Sequence, residues 1–262
     1  MNDILAELSE AAKRRVAESK ARVPLEEMMA EAAARGSDMS FPFEAALKAD
    51  GMSFICEVKK ASPSKGVIAE DFDPVAIARE YEAAGADCIS VLTEPTRFLG
   101  DIQYLRDIHA EVATPILRKD FVVDEYMIYE AKAAGASAVL LIVSILSEER
   151  LREYLRLCDE IGLSALVEIH DDRELKAALE SGARIIGVNN RNLRDFSVDP
   201  SNCLRLRHSV PEGILFVAES GIKDRDDVRA LEDEGVDAVL IGESLMRAED
   251  KAEKLQSLRC GR

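Results

Sequence analysis

Between Ser53 and Ser64 the chain reads SFICEVKKASPS, an apolar run that ends in charged groups. Side chains alternate faces along a strand, so Ile55, Glu57 and Lys59 share one side, and Cys56, Val58 and Lys60 the other. A carboxylate and an ammonium therefore meet near the strand's C-terminal end. Burying either alone is costly, so the two form a structural ion pair or are put to work. The pattern returns along the chain, where apolar runs end in residues suited to acid, base or phosphate chemistry. These are Thr93, Lys119 in PILRKDF, Ser144, Glu168 in LVEIH, Asn189 and Arg191 in GVNNRN, Ser220 and Gly221 in AESGI, and Gly242 and Glu243 in LIGES.

The runs that must position these residues span 54–59, 88–93, 115–119, 138–143, 165–168, 185–189, 214–220 and 238–242. Eight strands spaced for an intervening helix predict an α/β fold, a closed (β/α)₈ TIM barrel. A weak repeat supports it: YEAAGAD, YEAKAAGAS, LESGAR and LEDEGVD each precede a strand. Their glycines, Gly85, Gly135, Gly182 and Gly235, stand where a helix C-terminus needs positive φ. Runs such as VLLIV and IIGV read as strands buried on both faces. An open doubly wound sheet is the alternative fold, but it has fewer strands and a GxGxxG turn that this sequence lacks.

A chain of 262 residues fits one barrel domain, 1–262. Residues 1–50 read as an N-terminal helical extension, with Ile4, Leu5, Leu8, Ala11 and Ala12 on one stripe. Pro24 opens a second helix with Leu25, Met28 and Met29 as its apolar side, and the extension is expected to cap the barrel. No apolar run is long enough to span a bilayer, and the charged start does not resemble a secretory signal. Net charge of −16 argues against nucleic-acid or anionic-membrane partners, so an anionic ligand must be held by local charge. Cys56, Cys88, Cys158, Cys203 and Cys260 are far apart and read as reduced and mostly buried, in a cytoplasmic protein. His109, His170 and His208 have no metal spacing and read as surface or loop residues, so no metal site is expected.

In a barrel, activity belongs at the C-terminal strand ends. Parity places Lys119 with Leu117 and Glu168 with Leu166 on faces aimed into the mouth, where Glu57, Lys59 and Asn189 join them. Such a set supplies a general acid, a general base and orienting hydrogen bonds, with each charge biasing the protonation of the next. Glycines at the last two strand ends let backbone amides approach a ligand, so Gly221 and Gly242 suit a phosphate cradle at two helix N-termini. SPSKG at 62–66 is not a Walker motif, though Ser62 can add a hydroxyl to the same anion.

ICEVKKASPSKG at 55–66, DFDP at 71–74, PILRKDF, LVEIH, GVNNRNL, AESGI and IGESLMR together resemble the indole-3-glycerol phosphate synthase family over nearly the whole chain. The resemblance implies a barrel enzyme of tryptophan biosynthesis that needs neither metal nor organic cofactor. It would cyclise 1-(2-carboxyphenylamino)-1-deoxyribulose 5-phosphate, a small anionic sugar-phosphate substrate, with loss of carbon dioxide and water. It makes Lys119 the general acid at the substrate carbonyl and Glu168 the base or cation-stabilising carboxylate. Glu57 and Asn189 flank the ring-closing carbon, and Lys59 binds the substrate and assists dehydration. Ser62, Arg191, Ser220, Gly221, Leu240, Gly242 and Glu243 fall on substrate- and phosphate-binding positions, Glu243 through its backbone amide. The length suggests a monofunctional form, expected to be monomeric. A catalytically silent barrel that binds a phosphorylated metabolite or a protein, or another sugar-phosphate isomerase, is the alternative.

Overall fold

The computed structural model describes residues 4–37, 39–192 and 196–259. Eight parallel strands close into a barrel: β1 (Ser53–Val58), β2 (Cys88–Leu92), β3 (Ile116–Lys119), β4 (Ala138–Ile142), β5 (Ser164–Ile169), β6 (Ile185–Asn189), β7 (Leu215–Glu219) and β8 (Ala238–Ile241). Each pairs with its sequence neighbours, and β8 closes on β1 with Ser53 opposite Ala238. All eight strands fall on the expected runs, with ends shifted by at most one residue. Three helices precede the barrel: α1 (Ile4–Arg22), α2 (Leu25–Ala34) and α3 (Pro42–Leu47). After β1 a short antiparallel ribbon joins Ala61–Ser62 to Gly66–Val67.

Strand parity sorts the core into two layers. Ile55, Leu117, Leu140, Leu166, Val217 and Leu240 fill the barrel interior, while Phe54, Val91, Val139, Val167, Phe216 and Val239 meet the outer helices. The outer helices are α4 (Pro74–Ala83), α5 (Ile102–His109), α6 (Glu125–Ala134), α7 (Glu148–Glu160), α8 (Asp172–Ser181), α9 (Ser201–Arg207), α10 (Arg225–Asp233), α11 (Glu243–Met246) and α12 (Lys251–Leu258), and most begin where the sequence offers a cap. The Asp124 side chain accepts from Tyr126 N at the start of α6 (Glu125–Ala134), and Asp171 from Glu174 N at the start of α8 (Asp172–Ser181). Gly135 and Gly182 end these two helices with φ of 96° and 91°, as the repeat predicts.

The N-terminal helices meet both ends of the barrel. Leu8 and Ala12 of α1 share a buried cluster with Phe121 and Leu140 near the C-terminal strand ends. At the other end Phe43 and Leu47 of α3 are buried, and Ser53 Oγ donates to Ala46 O at 3.2 Å. In α2, Met28 and Ala32 are buried whereas Met29 is 40% exposed. The expected stripe thus fails at Met29: α2 lies against α6 with Met28 and Ala32 buried, and Met29, the next residue round the helix, is left toward solvent. Cys56, Cys88, Cys158 and Cys203 are buried free thiols, and Cys260 lies outside the described residues. No helix among the described residues is long and apolar enough to cross a membrane.

Candidate active site

A cavity of about 640 Å³ opens at the C-terminal strand ends. That is room for a small phosphorylated ligand. It is lined by every residue expected there: Glu57, Lys59, Ser62, Lys119, Glu168, Asn189, Arg191, Ser220, Gly221, Leu240, Gly242 and Glu243. Thr93 and Ser144, also read as strand ends, do not line it. The Thr93 hydroxyl instead donates to Asp120 at 2.6 Å, and Ser144 sits in a 3-10 turn after β4. Lys60 points to the outer side, with its ammonium 5.8 Å from the Phe72 ring centroid.

The ionic centre has two parts. Lys59 Nζ lies 2.5 Å from Glu57 Oε1. Lys119 Nζ lies 3.4 Å from Glu219 Oε2 and 3.6 Å from Glu168 Oε2. Burial pushes Glu57 toward neutrality, but Lys59 and then Lys119 outweigh it and hold its carboxyl below the usual range. For Lys119, burial works against the charge, and the carboxylates of Glu219, Glu168 and Glu57 more than offset it, so its pKa rises. It is therefore an ammonium at neutral pH, able to donate.

Glu219 was missed by the sequence reading, which took only Ser220 and Gly221 from ESG. Its pKa is pushed up to about 7, first by burial, with Lys119 opposing and Glu168 and Glu57 adding to the rise. The signal was available, since parity with Val217 aims Glu219 inward. Gly187 on the neighbouring β6 leaves it room, because a Cβ there would collide with Glu219 Oε1. Phe98 and Phe121, with ring centroids 6.3 Å apart, form an apolar wall with Ile4 and Leu8 from the expected stripe of α1, and the two phenylalanines were also missed. These four come from loops and from the remote helix, which strand-end reading does not reach.

Around the rim, Asn189 Oδ1 accepts from Arg191 N and from Ser220 Oγ, each at 3.0 Å, which leaves its amide nitrogen for a ligand. Ser220 and Gly221 adopt φ of 67° and 87°. Gly242 directly precedes α11 (Glu243–Met246). The expectation of two helix N-termini is corrected at Gly221. Helix α10 starts only at Arg225, and the Asp224 side chain already takes the amides of Asp226 and Asp227. Gly242 is also packed tightly. A Cβ there would overlap Glu57 Oε1 and lie 2.8 Å from Lys59 Nζ. The Glu243 carboxylate turns toward Arg247 at 3.2 Å and Lys65 at 3.6 Å, consistent with a role for its backbone only. His170, read as a surface or loop residue, is half-buried behind Glu168.

Buried ammonium and carboxylate groups at the mouth of a (β/α)₈ barrel, beside an apolar wall, define an acid–base enzyme for a small amphipathic anion. Residues 5–258 match the family described as indole-3-glycerol phosphate synthase. The enzyme of that name from Lachnoclostridium phytofermentans is 50% identical, over 98% of this chain and 98% of its own. That from Lacticaseibacillus casei is 54% identical over 81% and 82%. The chain belongs to the indole-3-glycerol phosphate synthase family, carboxy-lyases of tryptophan biosynthesis. The fold alone is shared with 3-hexulose-6-phosphate synthase from Salmonella typhimurium, at 17% identity, TM-score 0.64 and coverage of 79% and 96%. It is likewise shared with thiamine phosphate pyrophosphorylase from Pyrococcus furiosus, at 18%, 0.60, 79% and 93%.

Proposed function

We propose that this chain closes the indole ring of 1-(2-carboxyphenylamino)-1-deoxyribulose 5-phosphate, with Lys119 as the general acid. The new bond joins the ring carbon bearing the carboxylate to the substrate's ketone carbon. The ketone oxygen then gathers negative charge and takes a proton from Lys119, the cationic group between Glu168 and Glu219. Departure of carbon dioxide restores the aromatic ring. The alcohol leaves as water while the adjacent methylene gives up a proton, which requires both an acid and a base. Lys59, paired with Glu57, supplies the acid for that second half. Glu168 supplies the base and faces the cationic charge of the first half.

Asn189 and Glu57 orient the ring-closing carbon. The aromatic end rests against Phe98, Phe121, Ile4 and Leu8. The phosphate takes the backbones of Gly221, Gly242 and Glu243 with Ser62, Ser220 and Arg191, beside Leu240. Residues 1–262 act as one domain, with 1–50 as the extension that caps the barrel, working as a monomer in the cytoplasm. One chain contributes all the groups this scheme uses, and the four described cysteines are unpaired thiols.

The observation that carries this reading is one ammonium, Lys119, set between two buried carboxylates at the base of the cavity. Its test is Lys119→Met, which keeps the volume and removes the donor. Turnover should fall on the order of a hundredfold or more, with circular dichroism unchanged; near-normal turnover in the folded variant would overturn the assignment.

A further inference from the structure

His170 follows Glu168 by two residues, and its ring is clamped between two carboxylates. Glu174, in the first turn of α8, uses one oxygen twice: Oε2 accepts the His170 backbone N–H at 2.7 Å and faces ring Nδ1 at 3.1 Å. A carboxylate against Nδ1 requires a hydrogen there. The other nitrogen, Nε2, faces Glu168 Oε1 at 3.5 Å. Both atoms are buried, and neither has a hydrogen-bond partner among the described residues. A bare Nε2 against a carboxylate oxygen would press lone pair on lone pair in a low-dielectric site. One proton must therefore lie between them.

The groups facing the ring decide where that proton resides. Glu174 of α8, Glu168 of β5 and Glu219 of β7 all favour the imidazolium, while Asn202 of α9 (Ser201–Arg207) holds only the His170 carbonyl, at 3.0 Å. Burial alone would lower the ring's pKa, and the carboxylates reverse this and hold it above its ordinary 6.5. Lys119 lies on the far side, against Oε2 of Glu168.

We propose that His170 is a positioning residue for Glu168: tethered by Glu174, it donates Nε2–H to Oε1, fixes the orientation of the carboxylate and leaves Oε2 to Lys119 and the substrate. This rests on the role given to Glu168 above. As pH rises and the imidazolium loses its proton, donor against acceptor becomes acceptor against acceptor, and Glu168 loses its hold.

The test begins with the wild-type protein free of substrate. Long-range proton–nitrogen spectra of the imidazole rings, recorded between about pH 5 and pH 9, should show Nδ1 always protonated and Nε2 titrating above the ordinary histidine value. The midpoint should fall by roughly half a unit or more in Glu168→Gln and in Glu174→Gln, because each removes a facing charge. The alkaline limb of kcat/KM should share that midpoint. His170→Gln offers at the Nε2 position an amide donor that does not titrate, and should abolish the limb. His170→Leu, with no donor, should lower kcat roughly tenfold and leave KM within about twofold, the loss of one charged hydrogen bond. A midpoint at the ordinary value and unmoved by Glu168→Gln, or an unchanged alkaline limb in His170→Gln, would overturn the proposal. Near-normal turnover in Glu168→Gln would overturn the role of Glu168, and the substrate-free titration distinguishes that failure from an absent contact.

Discussion

Arg15 Nη2 lies 2.6 Å from Asp120 Oδ1, and Asp120 follows Lys119 directly, so helix α1 is tied to the strand end that carries the central ammonium. Asp120 is fully buried, and it also accepts from Thr93 Oγ1 at 2.6 Å and from Phe121 N at 2.8 Å. Burial alone would raise its pKa, but Arg15 and then Arg118 hold it below the usual carboxylate range. Lys20 pairs with Asp124 at 2.8 Å on the same side.

Removing the Arg15 end of this tie should act on the reaction more than on the fold. Arg15→Ala should cost roughly 1.5–3 kcal/mol of stability, the range for a hydrogen bond to a charged group. Turnover should fall several-fold, because α1 also brings Ile4 and Leu8 to the cavity wall. Steady-state kinetics beside a urea melt would decide. Unchanged kcat and KM would mean that the helix is bound to the barrel without serving the site.

Asp120→Ala should be far more damaging. It leaves Arg118, 1% exposed, with only Glu130 at 2.7 Å as an anionic partner among the contacts described, and strands Arg15 as well. Breaking a buried pair costs about 3–5 kcal/mol, so a melt should show a loss well above that of Arg15→Ala. Equal losses in the two variants would place the energy in the surface contact rather than the buried network.

The protonation of Glu219 predicts a pH-dependent stability difference. A folded-state pKa of about 7 against an ordinary 4.5 means that the folded protein favours the protonated acid. Its contribution is fully present below pH 4.5 and is lost as pH rises through 7. Glu219→Gln, a permanent neutral, should thus match wild type near pH 4.5 and gain on it toward pH 8.5, by about 3 kcal/mol at most for that shift. Urea midpoints at both pH values test this. A variant that becomes relatively weaker as pH rises would mean that Glu219 is a plain ion-pair partner of Lys119.

Much of this was legible in the sequence, for definite reasons. Parity placed Leu117, Leu166 and Leu240 inside and carried Lys119 and Glu168 to the mouth with them, since a closed barrel leaves each strand two faces and two environments. Lys119, Glu57 and Lys59 could be found because an apolar run that ends in charge must either pair that charge or use it, and the pattern recurs at several strand ends. Phe98, Phe121 and Leu8 could not be assigned to the site this way, because an apolar residue in a loop or helix looks like ordinary core. His170 was passed over as a loop residue, because only the three-dimensional path brings Glu174 back to its ring. The helix expected after Gly221 failed because Asp224, not the glycine, marks where α10 starts.

Substitution at Gly242 should affect chemistry as well as binding. The Cβ of Gly242→Ala would push into the Glu57–Lys59 pair. Both kcat and KM should worsen, with kcat/KM down roughly a hundredfold, the scale of a 1 Å misplacement in a catalytic group. Inorganic phosphate should compete with substrate in the wild type. A rise in KM alone would place Gly242 in the cradle without contact to the catalytic pair.

The most direct measurement follows the indole fluorescence that appears when the synthetic substrate 1-(2-carboxyphenylamino)-1-deoxyribulose 5-phosphate is added to the wild-type protein, with Lys119→Met run beside it. Wild type should produce indole-3-glycerol phosphate with saturation kinetics, and the folded variant should be slower on the order of a hundredfold or more. Substrate binding by the wild type with no indole signal, or equal rates in the two proteins, would contradict ring closure by acid catalysis at Lys119.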